Sequence, residues 1–172
     1  GGVGKTTIAV APSNLIADQF QGSRMSANVR ESFNPDKGGL QLQEKILSEI
    51  EKVQSLKVGH VDRGISLIKE RLCCKTSPLL VLDDVDHLYQ LEKLCGSCDW
   101  FGLGSRIIIT TRDKSLLTKC IVGLKYPMNE VDFGDALKLL TWHAFKADKP
   151  DDGFVELTKL VLQPANGLPL AL

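Results

Sequence analysis

Gly1-Gly2-Val3-Gly4-Lys5-Thr6-Thr7 opens the chain, and the reading of this stretch decides the rest. It carries the back part of the pattern G-x-x-x-x-G-K-[ST], whose first glycine would lie two residues before Gly1. Glycines let a backbone curl until successive N–H groups point inward at phosphate oxygens. A helix starting at Lys5 adds its positive N-terminal end. Lys5 would bring a mobile point charge to the outer phosphates, and the Thr6 hydroxyl can ligate Mg²⁺. The plain alternative is a glycine-rich turn that happens to precede a lysine, and GGVGKTT is too complete for that.

Bulk composition bounds what the loop can belong to. At 172 residues the chain fits one domain or one and a fraction. With 43% hydrophobic and 24% charged residues it has the material for a sizeable core. A formal net charge of zero gives no electrostatic footprint for nucleic acid. No apolar run approaches the ~20 residues that span a bilayer. Cys73, Cys74, Cys95, Cys98 and Cys120 are odd in number without secretory context, which argues against a disulfide framework. Cys95-Gly96-Ser97-Cys98 has redox or zinc spacing, but adjacent Cys73-Cys74 makes a poor second pair. Reduced, partly buried thiols are the favoured reading.

Along the chain, strands alternate with helices. Thr6 to Phe20 is expected to be a helix with Ile8, Ala9, Leu15, Ile16 and Phe20 on its apolar side, kinked or broken at Pro12. Met25–Val29 is a weak strand, Asn34–Gly39 a loop by its turn chemistry, and Leu40, Ile46, Leu47, Ile50 and Val53 recur at helical spacing. Asp62 can cap a second helix bearing Ile65, Leu67, Ile68 and Leu72. Leu79-Leu80-Val81-Leu82 is the clearest strand, apolar throughout as a strand covered on both faces must be. A short helix (Leu88, Leu91, Leu94), a second buried strand (Arg106–Thr111), a helix capped by Asp113 and a weaker strand (Ile121–Met128) follow. From Asp132 only helices are expected, one capped by Asp132 with Asp135 three residues on, and one carrying Phe154, Leu157, Leu160 and Val161 and ended by Pro164. The pattern predicts an α/β fold, a three-layer sandwich with a mostly parallel sheet.

Ligands of such folds bind at the carboxyl ends of the strands, where the glycine loop, Asp83-Asp84 and Thr110-Thr111-Arg112 would converge. Asp83 and Asp84 end an apolar strand, the place for an acid that holds Mg²⁺ opposite Thr6, with the second carboxylate orienting or deprotonating a water. The bland reading is a solvated acidic turn, which the joint presence of GKTT disfavours. Arg112 could contact a γ-phosphate bidentately, or simply pair with Asp113 on the surface. Trp100, Trp142 and His143 are read as packing residues, and His60 and His87 carry no assignment.

Four motifs in order, Gly1 to Thr7, Leu79 to Asp86 (LLVLDDVD), Gly104 to Asp113 (GSRIIITTRD) and Gly167 to Leu172 (GLPLAL), resemble the nucleotide-binding NB-ARC region of plant NBS-LRR disease-resistance proteins. Ala27-Asn28-Val29-Arg30-Glu31, Cys98-Asp99-Trp100-Phe101-Gly102 and Trp142-His143-Ala144-Phe145 match it too, so the resemblance covers essentially the whole chain. Asp86 resembles the subclass with an N-terminal TIR domain. The resemblance implies a P-loop NTPase fold whose first strand lies upstream of Gly1, between the strands ending at Asp83-Asp84 and at Thr111-Arg112. It implies a truncated nucleotide-binding subdomain over 1–131 and the beginning of a helical ARC subdomain over 132–172. It further implies an ATP/ADP-binding switch with slow hydrolysis, oligomerising when ATP-bound, cytoplasmic or nuclear and not secreted, working with TIR and leucine-rich-repeat domains of one longer protein. Gly1, Gly2, Val3, Gly4, Lys5, Thr6 and Thr7 would hold the phosphates, with Thr6 and Asp83 on Mg²⁺. Asp83 and Asp84 would serve hydrolysis, Arg112 would sense the γ-phosphate, and Pro169 would pack near the base.

Some positions depart from the pattern. Pro12-Ser13 replaces an apolar-aromatic pair, Met25-Ser26 weakens a strand, and Pro164 stands where tyrosine is frequent. Because of Pro12, a nucleotide-independent signalling scaffold stays open, as does a non-functional gene copy. A small-molecule kinase has no second substrate-site or lid motif to support it. The isolated 172-residue stretch is expected to bind nucleotide weakly.

Overall fold

A computed structural model describes residues 2–16, 20, 24–37, 39–74, 78–96, 100–102, 104–119, 123–146 and 152–171. Contacts divide the chain into two compact units, one of residues 6–125, the other of residues 1–5 with 126–172.

The first unit is built on a sheet of three described strands, β1 (Arg24–Asn28), β2 (Leu79–Val85) and β3 (Arg106–Thr111). All pairing is parallel, in the order β1-β2-β3. The helices of the unit are α1 (Lys5–Ile16, which begins on the last residue of the other unit), α2 (Val29–Ser32), α3 (Leu40–Glu51), α4 (Val61–Cys74), α5 (Leu88–Leu94) and α6 (Lys114–Lys119). Side chains of a strand alternate between faces, and β2 sorts its residues accordingly. Leu80 and Leu82 join Ala27, Leu42, Ile46, Ile68, Leu72, Leu91 and Leu94 in the main core. Leu79 and Val81 join Ala9 of α1 in a smaller one, against which Ile16 and Ile108 pack. The continuous apolar run of β2 is therefore the mark of a strand covered on both faces, and the layers are helix, sheet, helix.

Leu79 pairs in register with Arg106 and Leu82 with Ile109, so β2 and β3 are direct neighbours. This corrects the expectation of a strand between those ending at Asp83-Asp84 and Thr111-Arg112. Once the ladder between β2 and β3 forms, their facing N–H and C=O groups are taken up with one another.

Other expectations also shift. The first helix is continuous through Pro12 and ends at Ile16. Ser13, fully buried, donates its hydroxyl to the Val10 carbonyl at 2.7 Å, a local bond in the turn that Pro12 deprives of its N–H. Ile8 and Leu15 are exposed, leaving Ala9, Ile16 and Phe20 as the packed side. Asp62 lies inside the first turn of α4 and does not precede it, and the His60 carbonyl accepts the Gly64 N–H at 3.0 Å. Val53 lies beyond the end of α3 and is exposed. Of the strand expected over 121–128, residues 123–128 are irregular, with Leu124 and Tyr126 exposed. Gly123 and Pro127 both disfavour a ladder. Trp100 is buried, whereas Trp142 and His143 face outward. Cys95 is buried and donates its thiol to the Leu91 carbonyl at 3.3 Å; Cys98 and Cys120 lie outside the described residues.

α3 and α4 approach through one small residue. A Cβ on Gly64 would stand 2.3 Å from Oε1 and 2.8 Å from Cδ of Gln43, which is fully buried. Gln43 has nowhere to yield, because its Nε2 donates to the Lys93 carbonyl at 2.9 Å. Gly64→Ala should therefore lower stability by about 1–3 kcal/mol despite the better helix propensity of alanine. A denaturant midpoint equal to the parent's would show that the helices simply separate.

The second unit holds α7 (Phe133–Phe145) and α8 (Val155–Ala165). Asp132 caps α7 as expected, accepting the Asp135 N–H at 2.8 Å. α8 includes Pro164 within its last turn and closes on left-handed Asn166. Its expected apolar face is turned outward, Leu157 being 56% and Leu160 61% exposed. Thr158, Leu162 and Ala165 are the buried positions instead.

Candidate nucleotide site

Gly2 and Gly4 both hold left-handed backbone, at φ +87° and +86°, which only glycine adopts without strain. At Gly2 space is short as well, since a Cβ there would lie 3.3 Å from Leu170 Cβ. The Leu170 N–H donates to the Gly2 carbonyl at 3.2 Å, within the unit that both belong to. Leu170 follows Pro169 in a short 3₁₀ turn, Pro169–Ala171, so the turn bearing Pro169 lies against the glycine loop. Lys5 is the first residue of α1 and half-buried, and Thr6 and Thr7 are exposed in its first turn.

Asp83 is the hub of the first unit's polar end. It is 6% exposed, at the carboxyl end of β2, in register with Asn28. Thr6 donates its hydroxyl to the carboxylate, 2.8 Å from Oδ2 and 3.1 Å from Oδ1, across 77 residues of sequence. Thr110 donates to Oδ1 at 2.5 Å and itself accepts the Asp84 N–H at 2.8 Å. Together these bonds satisfy a carboxylate too buried to be served by solvent alone.

Asp84 comes from an irregular point. The β2–β3 register shifts between Leu82 and Val85, and Asp84 takes a left-handed φ of +51°. A bulge of this kind re-aims a side chain. The Asp84 carboxylate meets Arg112, with Nε 3.2 Å from Oδ1 and Nη2 3.5 Å from Oδ2. It also meets Arg30, whose Nη1 is 3.5 Å from Oδ2. Arg112 therefore pairs with Asp84 and not with its neighbour Asp113. The Asp113 carboxyl is held below its usual range chiefly by the Ser115 hydroxyl at 2.9 Å, then by the Ser115 N–H at 2.8 Å.

Sequence reasoning placed Asp83, Asp84, Thr6 and Arg112 in one region, and the fold brings these four together. Thr110 is expected at the same end only as part of Thr110-Thr111-Arg112, without the bridge it makes between the two aspartates, and Arg30 has no expected role. The available signal was positional, since Thr110 and Arg30 both lie at or just past the carboxyl end of a strand. Among the described residues no group of three or more His, Cys, Asp or Glu is placed to hold a metal. Thr6 and Asp83 offer one hydroxyl and one carboxylate, a donor set that fits a Mg²⁺ keeping most of its waters or phosphate oxygens, and not a closed protein cage. No described helix is long and apolar enough to cross a membrane.

A glycine loop opening a helix, joined at its threonine to an acid at the end of a parallel strand, defines a P-loop α/β protein. The NB-ARC domain family matches residues 1–149. Disease resistance protein RML1B of Arabidopsis thaliana is 39% identical over 175 residues, covering 99% of this chain and 17% of that protein. Disease resistance protein RUN1 of Vitis rotundifolia is 39% identical over 173 residues, covering 100% of this chain and 13% of that protein. TMV resistance protein N of Nicotiana glutinosa is 37% identical over 179 residues, covering 100% of this chain and 15% of that protein. The chain belongs to the NB-ARC family, and its relatives are TIR-type plant disease-resistance proteins. It spans between 12% and 17% of the length of such relatives.

Proposed function

We propose that this chain is the ATP/ADP-binding switch module of an intracellular plant immune receptor, with slow hydrolysis resetting the switch. The Thr6–Asp83–Thr110 cluster carries the reading. It joins the first turn of the glycine-loop helix to the ends of two parallel strands, where a phosphate chain and its Mg²⁺ are met in P-loop enzymes. Gly1 to Thr7 would surround the phosphates with N–H groups, and Lys5 would neutralise the outer ones. Thr6 and Asp83 would hold Mg²⁺, which supplies charge neutralisation between the phosphates. Asp84 would orient a water with Asp83 as its neighbour, and Arg112 would distinguish triphosphate from diphosphate. Pro169, in the turn that meets Gly2, would lie near the base.

Residues 1–131 would form the nucleotide-binding subdomain and 132–172 the start of the helical ARC subdomain. In the longer protein the module would act on TIR and leucine-rich-repeat domains, oligomerise with ATP, and reside in the cytoplasm or nucleus. The scaffold reading rests on Pro12 just after the loop; α1 runs through that position as one helix.

Lys5→Ala and Lys5→Arg in the full-length receptor should abolish nucleotide retention, because neither replacement delivers a compact ammonium into the loop. Measured by nucleotide co-purifying with the protein, unchanged ADP content in either variant would sink the proposal.

A further inference from the structure

At the polar end of the first unit, Asp84 is shared by two arginines. Its backbone is pinned, with the N–H held by Thr110 Oγ1 at 2.8 Å and φ at +51°. Its side chain is 23% exposed and turned toward both guanidiniums. Arg112 takes Oδ1 at 3.2 Å and reaches Oδ2 at 3.5 Å, the same oxygen that Arg30 reaches at 3.5 Å. Oδ2 is thus contested. Arg30 is itself divided, for its Nε lies 3.6 Å from Oδ2 of Asp86. Asp86 is anchored from behind, its Oδ1 accepting Gln90 Nε2 at 2.7 Å and its N–H reaching Gln90 Oε1 at 3.0 Å.

Local folding places Arg30 there. β1 ends at Asn28, in register with Asp83, and Asn28 caps the one-turn helix α2 by accepting the Glu31 N–H. Arg30 is the second residue of that turn. The result is a row of alternating charges, Asp86–Arg30–Asp84–Arg112, across the ends of β1, β2 and β3.

We propose that Arg30 is a positioning residue that sets how readily Arg112 leaves Asp84 for the terminal phosphate of ATP. The inference rests on the reading of Arg112 as the γ-phosphate sensor. When Arg112 turns to a phosphate, Asp84 loses one partner. With Arg30 present the carboxylate keeps a counter-charge, and Oδ2 passes wholly to Arg30. Without Arg30 the same movement leaves a half-buried carboxylate unpaired beside a polyphosphate, so Arg112 is held back. Asp86 acts in the opposite sense, drawing Arg30 away from Asp84. ADP has no terminal phosphate for Arg112 to meet, so its affinity is indifferent to this row.

The test compares ATP and ADP affinities, with Mg²⁺, by equilibrium dialysis on the intact chain that carries this segment. Arg30→Gln should lower the ATP/ADP affinity ratio about threefold, the size expected for one partly exposed ion pair, with ADP affinity unchanged. Arg30→Lys should restore most of the ratio. Asp86→Asn should raise it about twofold by the same reasoning. Opposite signs at Arg30 and Asp86 are a readout that a merely structural role would not produce. Equal loss of both nucleotides in Arg30→Gln, or the same sign in both variants, overturns the inference. Arg112→Ala separates the layers. If it leaves the ratio untouched, or if the parent binds neither nucleotide, the sensor reading fails and the inference with it. If it lowers the ratio and Arg30→Gln does not, the inference alone fails.

Discussion

Asp83→Asn is expected to remove the Mg²⁺ dependence of nucleotide binding while leaving the fold in place. The carboxylate is nearly buried, and its partners in the structure are the hydroxyls of Thr6 and Thr110. An asparagine of the same shape can keep both, accepting from one hydroxyl and donating to the other, because a hydroxyl does either. What it cannot keep is the charge. A neutral amide oxygen is a poor ligand for a hard divalent cation, and the Thr6 hydroxyl alone does not hold one. Losing one charge-assisted interaction costs about 1.5–3 kcal/mol, or roughly tenfold to a hundredfold in affinity. The measurement is a titration of ADP and ATP with and without Mg²⁺ on the full-length variant, with circular dichroism as the control for folding. A variant that still gains affinity from Mg²⁺ as the parent does would remove Asp83 from the metal site. Asp83→Leu should behave differently. It leaves the buried Thr110 hydroxyl without its acceptor, and the result should be loss of stability, not only loss of the ion.

The second large effect belongs to the helical unit. Gly167→Ala should destabilise it by roughly 2–4 kcal/mol, combining left-handed backbone with a steric clash. Gly167 has φ +70°, and a Cβ built on it would stand 2.5 Å from the Val131 carbonyl oxygen and 3.1 Å from Glu130 Cβ. The first of these atoms is backbone, and it cannot rotate aside. The approach is fixed from the other direction too, because the Val131 N–H donates to the Gly167 carbonyl at 2.9 Å. Relief would require breaking that bond and moving the segment that enters α7. The neighbouring turn would move with it, and with it the Leu170 bond to Gly2. Gly153→Ala is the control: nothing lies within 4 Å of its Cβ position, so it should change stability by less than ~0.5 kcal/mol. Chemical denaturation of the two variants beside the parent decides the matter. Equal midpoints would mean that the close approach of Gly167 to Val131 is not maintained in solution.

Local signals carried the elements well and their limits less well. The β2 run, the Asp132 cap and the spacing of Leu88, Leu91 and Leu94 each act within a few residues, so the chain itself displays them. Pro12 misled because proline was judged by what it removes, one N–H and some space. In the structure α1 continues past it, with the Ser13 hydroxyl bonded into the same turn. Leu157, Leu160 and Val161 misled for another reason. Helical spacing reports that a face is apolar, and nothing in the spacing states what covers it.

The site divides in the same way. Phosphate-loop chemistry, an acid after a buried strand and an arginine after the next are all legible as residue types at the ends of apolar runs. Sequence alone determined the α/β class, the family resemblance and the identity of Thr6, Asp83, Asp84 and Arg112 as candidates. Only the tertiary structure decided that β2 and β3 are direct neighbours, that Thr110 bridges the two aspartates, and that Arg30 shares Asp84 with Arg112. The reason is physical. Periodicity and capping are satisfied within a turn or a strand, whereas strand order and charge pairing depend on register between segments tens of residues apart. That register is chosen when both faces of β2 are buried at once.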